Sequence, residues 1–203
     1  SIKEFCSKVI AKSNIDIIES IKTKVDITKE TPSGIMATTL ILAVIVRNKM
    51  YYTSIGDSRL FIYSEKDGLN LLNYEDNVMN LKLANGMAWD KVVNSEGRYA
   101  ITRYIGGRSF KDGNLYPREF TISIHCLDLE PGQIIIICSD GVTDYINKSY
   151  YNDDLWKVTE SLEKIIKENK EKSLDVLNNK IITEANLNGG GDNITIITSK
   201  VLK

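Results

Sequence analysis

The chain has 203 residues, 42% hydrophobic and 26% charged, with 26 basic against 27 acidic side chains for a net charge of −1. A globular chain of this length buries roughly 70% of the surface its unfolded form exposes, so disorder and coiled coil are excluded as overall descriptions. The near-neutral charge supplies no basic footprint for nucleic acid, and the longest apolar run, Leu40 to Val46, falls far short of the ~20 residues of a membrane span.

Ser1 to Lys24 predicts a helix: Ile2, Phe5, Val9, Ile17, Ile18 and Ile21 recur at three- and four-residue steps, with a break near Asn14. Lys3, Glu4 and Lys8 leave the start without the apolar core of a signal peptide. Thr28 to Gly34 reads as a loop, and Thr38 to Val46, β-branched and apolar, as a buried strand. A hairpin turn at Arg47-Asn48-Lys49 leads to strands Tyr51 to Ile55 and Leu60 to Tyr63. A second turn, Lys66-Asp67-Gly68, precedes a short strand from Leu69 to Leu72. Asp76 to Ala84 reads as helical, Gly86 to Arg98 as polar and mixed, and Phe120 to Leu127 as an alternating strand. Gln133 to Cys138, with four successive isoleucines, predicts a strand buried on both faces. Two amphipathic helices follow, Leu155 to Glu168 and Ser173 to Ala185, and then a last strand from Ile194 to Thr198. With no Pro/Ser-rich linker and no internal repeat, residues 1–203 are expected to form one domain of α+β class, helices packed on antiparallel sheets.

Cys6, Cys126 and Cys138 have no metal-site spacing, and their odd count argues against a disulfide framework. Cys126 and Cys138 lie in strand-like runs and read as buried small hydrophobes, and a reducing cytoplasm is the expected compartment. The lone His125 sits in an alternating strand and reads as an ordinary strand position, since one unpaired histidine offers no triad. Trp89 and Trp156 read as packing residues, and Lys164 to Lys172 as a solvated helix face.

The chemistry-bearing residues are aspartates. Asp57, Asp140 and Asp192 each sit beside a glycine or its neighbour at the end of a β-rich run, and Asp144 lies one turn beyond Asp140. Taken singly, such pairs are turn formers. Gathered at one sheet edge, four carboxylates repel one another unless cations lie between them, and all-oxygen ligands select hard ions such as Mg²⁺ or Mn²⁺.

The order of segments is informative. Ala37-Thr38-Thr39-Leu40, Gly56-Asp57-Ser58-Arg59, Ile101-Thr102-Arg103-Tyr104-Ile105-Gly106, Ser139-Asp140-Gly141-Val142-Thr143-Asp144 and Gly190-Gly191-Asp192-Asn193 follow one another in the chain. This succession resembles the type 2C, metal-dependent serine/threonine protein phosphatases (the PPM family) from about Gly34 to the carboxyl terminus. The resemblance implies an αββα sandwich of two antiparallel sheets flanked by helices. It also implies hydrolysis of phosphoserine and phosphothreonine in proteins by two core Mn²⁺ or Mg²⁺ ions, with a third in related enzymes. On it, Asp140 and Asp192 are ligands of one core metal. Asp57 and Asp144, with Asp140 again, form the set that holds the additional ion. Arg59 is expected to brace its turn by a salt bridge, Thr102, Arg103 and Gly106 to be architecture near the site, and Gly86 to Arg98 to be the flap. No catalytic residue beyond the metal set is assigned.

Three departures from the family pattern stand out. Ala37 replaces the glycine before the paired threonines, and Glu75-Asp76-Asn77 stands where Asp-His-Ser is usual. The amino-terminal Asp-Gly-x-Gly-Gly motif, its upstream Glu-Asp pair and the phosphate-binding arginine have no counterpart, so the chain reads as a phosphatase domain without its first two strands. The alternative function is a pseudophosphatase that binds protein partners. The expected partners are a phosphoprotein substrate, and either a missing amino-terminal segment or a second copy covering the open sheet edges; nucleic acid and membrane are not expected.

Overall fold

A computed structural model of the chain describes residues 1–24, 36–112, 114–119, 121–147 and 155–202. The chain divides into two compact units, one of residues 1–56 and 76–127, the other of residues 57–75 and 128–203. The expected loop from Thr28 to Gly34 lies outside the described residues.

The first unit begins with α1 (Ile2–Lys24). The helix runs unbroken through Asn14, where the apolar recurrence is interrupted, as the reading of Ser1 to Lys24 as a helix expects. The Asn14 side chain is buried and satisfied at both ends: Nδ2 donates to the Arg118 carbonyl (3.3 Å), and Oδ1 accepts from the Gly106 amide (2.7 Å). A polar residue in an apolar stripe is stable when its hydrogen bonds are made. Around it α1 buries Ile10 against Ile55 and Ile105, and Ile18 and Ile21 against Leu115. β1 (Leu40–Val46) pairs antiparallel with β2 (Lys49–Ile55) around the two-residue turn Arg47-Asn48, where Arg47 takes φ 56°. The closing pair Val46↔Lys49 of such a hairpin exchanges both hydrogen bonds, and alternate pairs follow suit. Leu40, Leu42, Val44 and Val46 therefore bond across to β2, while Ile41, Ala43 and Ile45 turn their amides and carbonyls outward. No described residue pairs with that outer side, because β1 is the edge of the order β1-β2-β7. Instead of the buried strand expected from Thr38 to Val46, β1 is half-buried, and Ile45 and Val46 are exposed.

β7 (His125–Asp128) is shorter than the expected run from Phe120 and leaves Cys126 exposed, not buried. Alternation in a strand marks two faces without saying which of them is covered. Between β2 and β7 lie α2 (Val78–Ala84), capped by the Asn77 side chain accepting from the Asn80 amide, and the short α3 (Trp89–Val93). A hairpin not foreseen in the sequence, β5 (Arg108–Lys111) and β6 (Asn114–Pro117), sets Leu115 against α1.

The second unit is a four-stranded antiparallel sheet in the order β4-β3-β8-β9: β3 (Arg59–Ser64), β4 (Gly68–Leu71), β8 (Ile134–Cys138) and β9 (Ile196–Lys200). β8 is interior, and Ile134, Ile135 and Ile136 are all buried, as its isoleucine run predicts. Each fully buried isoleucine contributes about 1.5–3 kcal/mol. α5 (Leu155–Asn169) brings Leu162 and Ile166, and α6 (Leu174–Leu187) brings Leu177 and Ile181, onto Phe61, Tyr63, Ile134 and Ile136. A single turn of helix, α4 (Asp140–Thr143), follows β8 directly.

Candidate functional site

Register places the four aspartates. Arg59 on β3 stands opposite Cys138 on β8, and Cys138 stands opposite Ile196 on β9. Asp57 just before β3, Asp140 just after β8 and Asp192 a few residues before β9 therefore emerge at the same end of one sheet. β4 runs antiparallel to β3 with Phe61 opposite Leu71, so the chain leaving β4 returns to that end and delivers Glu75. Within this unit the structure brings together the loops that carry all four sequence-predicted acids.

Ser139 joins two of these loops. Its amide donates to the Thr195 carbonyl (3.0 Å), its hydroxyl donates to the Asn193 carbonyl (2.9 Å), and the same hydroxyl accepts from the Thr195 amide (3.1 Å). Gly141 is required by the closeness of these loops: a Cβ there would collide with the Asn193 carbonyl oxygen and touch Asp192 Cβ. Asp140 accepts from the Gly141 amide through Oδ1 (2.8 Å), and its carbonyl receives the Asp144 amide (2.8 Å), which sets Asp144 one turn away. Asp192 is exposed and accepts from the Asn193 amide (2.6 Å).

The acids feel one another. Burial pushes the Asp144 carboxyl up to about 7; Arg59 opposes the rise, and the charges of Asp140, Glu75 and Asp57 add to it. Asp57 is likewise raised, first by burial, then by Asp140, with a smaller contribution from Glu75. Burial holds the Cys138 thiol at about 12, an inert group beneath the cluster. Arg59 donates from Nε to Glu75 Oε1, and both side chains are nearly buried. The arginine thus braces its turn, as expected, and also offsets the negative field. Glu75 is the member that sequence reasoning noted only as a departure; the signal was the β3–β4 hairpin register, which fixes where the next acid must lie.

The donor set is carboxylate oxygen throughout and its members repel one another, which fits a hard cation. Among the described residues, however, no three His, Cys, Asp or Glu side chains converge closely enough to hold an ion as they stand. The coupling is one of charge at a distance. His125 is exposed and stacks on Tyr52, ring centroids 5.3 Å apart, and Trp89 is half exposed. The Trp156 side chain lies outside the described residues. An open cavity of about 460 Å³ beside α2 and α3 is lined by Lys82, Asn85, Met87 and Lys91 and contains none of the four acids.

Comparison with known proteins places this geometry. Residues 3–194 match the family Protein phosphatase 2C. A protein of Streptococcus pyogenes serotype M6, named as a protein phosphatase 2C-type, is 31% identical over 161 residues, which are 79% of this chain and 56% of that protein. The chain thus spans little more than half the length of that relative. The solved structure of the S. agalactiae serine/threonine phosphatase superposes with a TM-score of 0.75 at 23% identity, covering all of this chain and 71% of that one. The catalytic domain of the serine/threonine protein phosphatase PstP, solved in complex with two manganese ions, gives 0.65 at 18% identity, covering 94% and 67%. At these identities the structural likeness establishes the fold, in agreement with the α+β class and antiparallel sheets read from the sequence.

Proposed function

This chain belongs to the protein phosphatase 2C family, and from that premise we propose that it serves metal-dependent hydrolysis of phosphoserine and phosphothreonine in proteins. The observation that carries the reading is the gathering of Asp57, Asp140, Asp144 and Asp192 at one end of the β3-β8-β9 sheet, with Asp57 and Asp144 raised by burial and by their neighbours' charges.

In this reading Asp140 and Asp192 hold one Mn²⁺ or Mg²⁺ ion, and Asp57 and Asp144, with Asp140, hold an additional one. Two core ions, as in the manganese complex of PstP, are the expected complement. When bound, such ions lower the pKa of a water and neutralise charge on phosphoryl oxygens. The residues of the chain supply the framework. Ser139 ties the Asp140 and Asp192 loops together, so their backbones are held side by side. Arg59 and Glu75 set the field in which Asp57 and Asp144 ionise. The partner is a phosphoprotein substrate, and either a missing amino-terminal segment or a second copy of the chain completes the open edge of β1. The setting is the cytoplasm, a reading supported by three free cysteines. Among the described residues no helix is long and apolar enough to cross a membrane.

A second reading, a catalytically dead binding module on the same fold, is favoured by one observation: among the described residues no three His, Cys, Asp or Glu side chains are grouped closely enough to hold a metal ion. Hydrolysis of p-nitrophenyl phosphate and of a phosphothreonine peptide with Mn²⁺, in wild type and Asp140→Asn, separates the two. Turnover that depends on Mn²⁺ and falls in the variant supports the phosphatase. Phosphopeptide binding without turnover supports the binding module.

A further inference from the structure

Composition sets β1 apart from the other sheet edges among the described residues. β4 carries Asn70, β7 carries His125 and Asp128, β9 carries Lys200, and the β5–β6 hairpin carries Arg108 and Pro117. Polar, charged and proline residues on an edge keep it from pairing with a foreign strand. β1 reads Leu-Ile-Leu-Ala-Val-Ile-Val, with no polar residue, no proline and no bulge in its register with β2. The outward amides and carbonyls of Ile41, Ala43 and Ile45 have no strand partner among the described residues. The edge is also held in shape. The Arg47-Asn48 turn closes one end, and beyond the other Thr38 exchanges backbone bonds with Ile105 (3.0 and 2.9 Å). A preformed edge accepts a further strand at little ordering cost.

This strand is complementary to itself. Antiparallel pairing about a twofold axis at Ala43 sets Ala43 against its own copy and Ile41 against Ile45, so every outward group meets an outward group. Pairs of this kind exchange two bonds each and leave none of those groups unmade. On the opposite face Leu42 meets Val44 and Leu40 meets Val46, apolar against apolar throughout. A slip of one residue would set outward groups against groups already bonded to β2. Antiparallel order also keeps the two copies of Arg47 about 27 Å apart, beyond the ~8 Å over which exposed charges act, whereas parallel order would set them side by side.

We propose that the outer edge of β1 is a homodimer seam, two copies of the chain joining β1 to β1 antiparallel about Ala43. A second copy, not an amino-terminal segment, thus completes the edge, whether or not the chain turns over phosphate. A single strand from each copy is far smaller than the ~20–30 residues a side of a standard interface, so the dimer is weak and concentration-dependent.

The test is sedimentation of the 203-residue chain from roughly 1 μM to 1 mM, the range of weak association. Wild type is expected to pass from monomer to dimer within that range. Ala43→Pro deletes an outward amide and leaves the bonds to β2 in place, since proline is tolerated where an edge N–H faces away from the sheet. It is expected to weaken the dimer about 10–100-fold. If Ala43→Pro does not fold, Ile45→Lys, at a side chain already exposed, puts a charge on the seam and is expected to weaken it about tenfold or more. Cross-linking reads the register, in a Cys126→Ser background that removes the exposed native thiol. Across the axis the two α-carbons at position 43 lie about 5.5 Å apart, within disulfide reach, and those at position 45 about 14 Å apart, beyond it. Ala43→Cys is therefore expected to give an oxidised dimer and Ile45→Cys to give none. A chain that stays monomeric throughout the range overturns the seam. So does a dimer that Ala43→Pro and Ile45→Lys leave unchanged, or one that Ile45→Cys cross-links as well as Ala43→Cys does.

Discussion

The two larger sheets among the described residues are built on opposite principles. The β4-β3-β8-β9 sheet has an interior strand of consecutive isoleucines, buried from Ile134 to Ile136, and two helices that supply Leu162, Ile166, Leu177 and Ile181 to the same core. The β1-β2-β7 sheet has three strands, a half-buried apolar edge, and polar staples inside its unit: Asn14 beneath Gly106, and Arg103 with Asp76 beneath Gly56. Apolar packing is non-directional and strong, whereas hydrogen bonds contribute little net energy but fix orientation. The four aspartates issue from the sheet with the dense core.

The largest test of that contrast is a matched pair of truncations. Ile136→Ala removes a fully buried side chain and is expected to cost about 2–5 kcal/mol. Ile41→Ala on the half-buried β1 should cost under about 1.5 kcal/mol. Urea unfolding of both variants gives the numbers, and equal losses would erase the distinction between the sheets.

Next in size is the separation of chemistry from support. Asp192 is exposed, so Asp192→Ala should change stability by less than about 0.5 kcal/mol. In a catalytically active form of the protein it should lower Mn²⁺-dependent turnover by about a hundredfold or more, roughly 2.7 kcal/mol. A thermal melt beside a p-nitrophenyl phosphate assay reads both, and a large drop in Tm with turnover retained would make Asp192 a structural residue.

The smallest effect concerns pH. The folded-state pKa of Asp144, about 7, lies above the unfolded value of about 3.9. Its charged form is disfavoured by folding, so Asp144 costs stability above pH 7, and the cost fades as pH falls from about 7 to about 4. In EDTA at pH 8, Asp144→Asn should therefore melt a few degrees higher than wild type, with the gain gone by pH 4. Excess Mn²⁺ should favour wild type instead, because only the carboxylate gains a counter-ion. A variant less stable than wild type at pH 8 without metal would show that the acids of this sheet are not in conflict.

What was legible in the sequence follows the same division. The isoleucine run of β8 and the apolar faces of α5 and α6 announce themselves because local pattern and tertiary burial agree. Aspartates beside glycines at strand ends marked the site because three of them emerge where register brings strand ends together. The β5–β6 hairpin was invisible: its strands are four residues each, mixed in polarity, and held in place by Leu115 against α1. Asn14 read as a break in the apolar recurrence because its partners, Gly106 and Arg118, lie about a hundred residues away. Glu75 was passed over because its place depends on a register, not on its neighbours in sequence.

The alternation along β1 gives this strand two clocks. The amides of Leu42, Val44 and Val46 are bonded across the hairpin, so their hydrogen–deuterium exchange reports how often β1 and β2 part. The amides of Ile41, Ala43 and Ile45 point away from β2 and have no strand partner among the described residues to slow their exchange. A further strand laid along β1, whether an amino-terminal segment or a second copy, would slow the odd-numbered amides and leave the even-numbered ones as they were. Six consecutive residues thus carry both the opening rate of the hairpin and a signal, on separate amides, for the arrival of a neighbour.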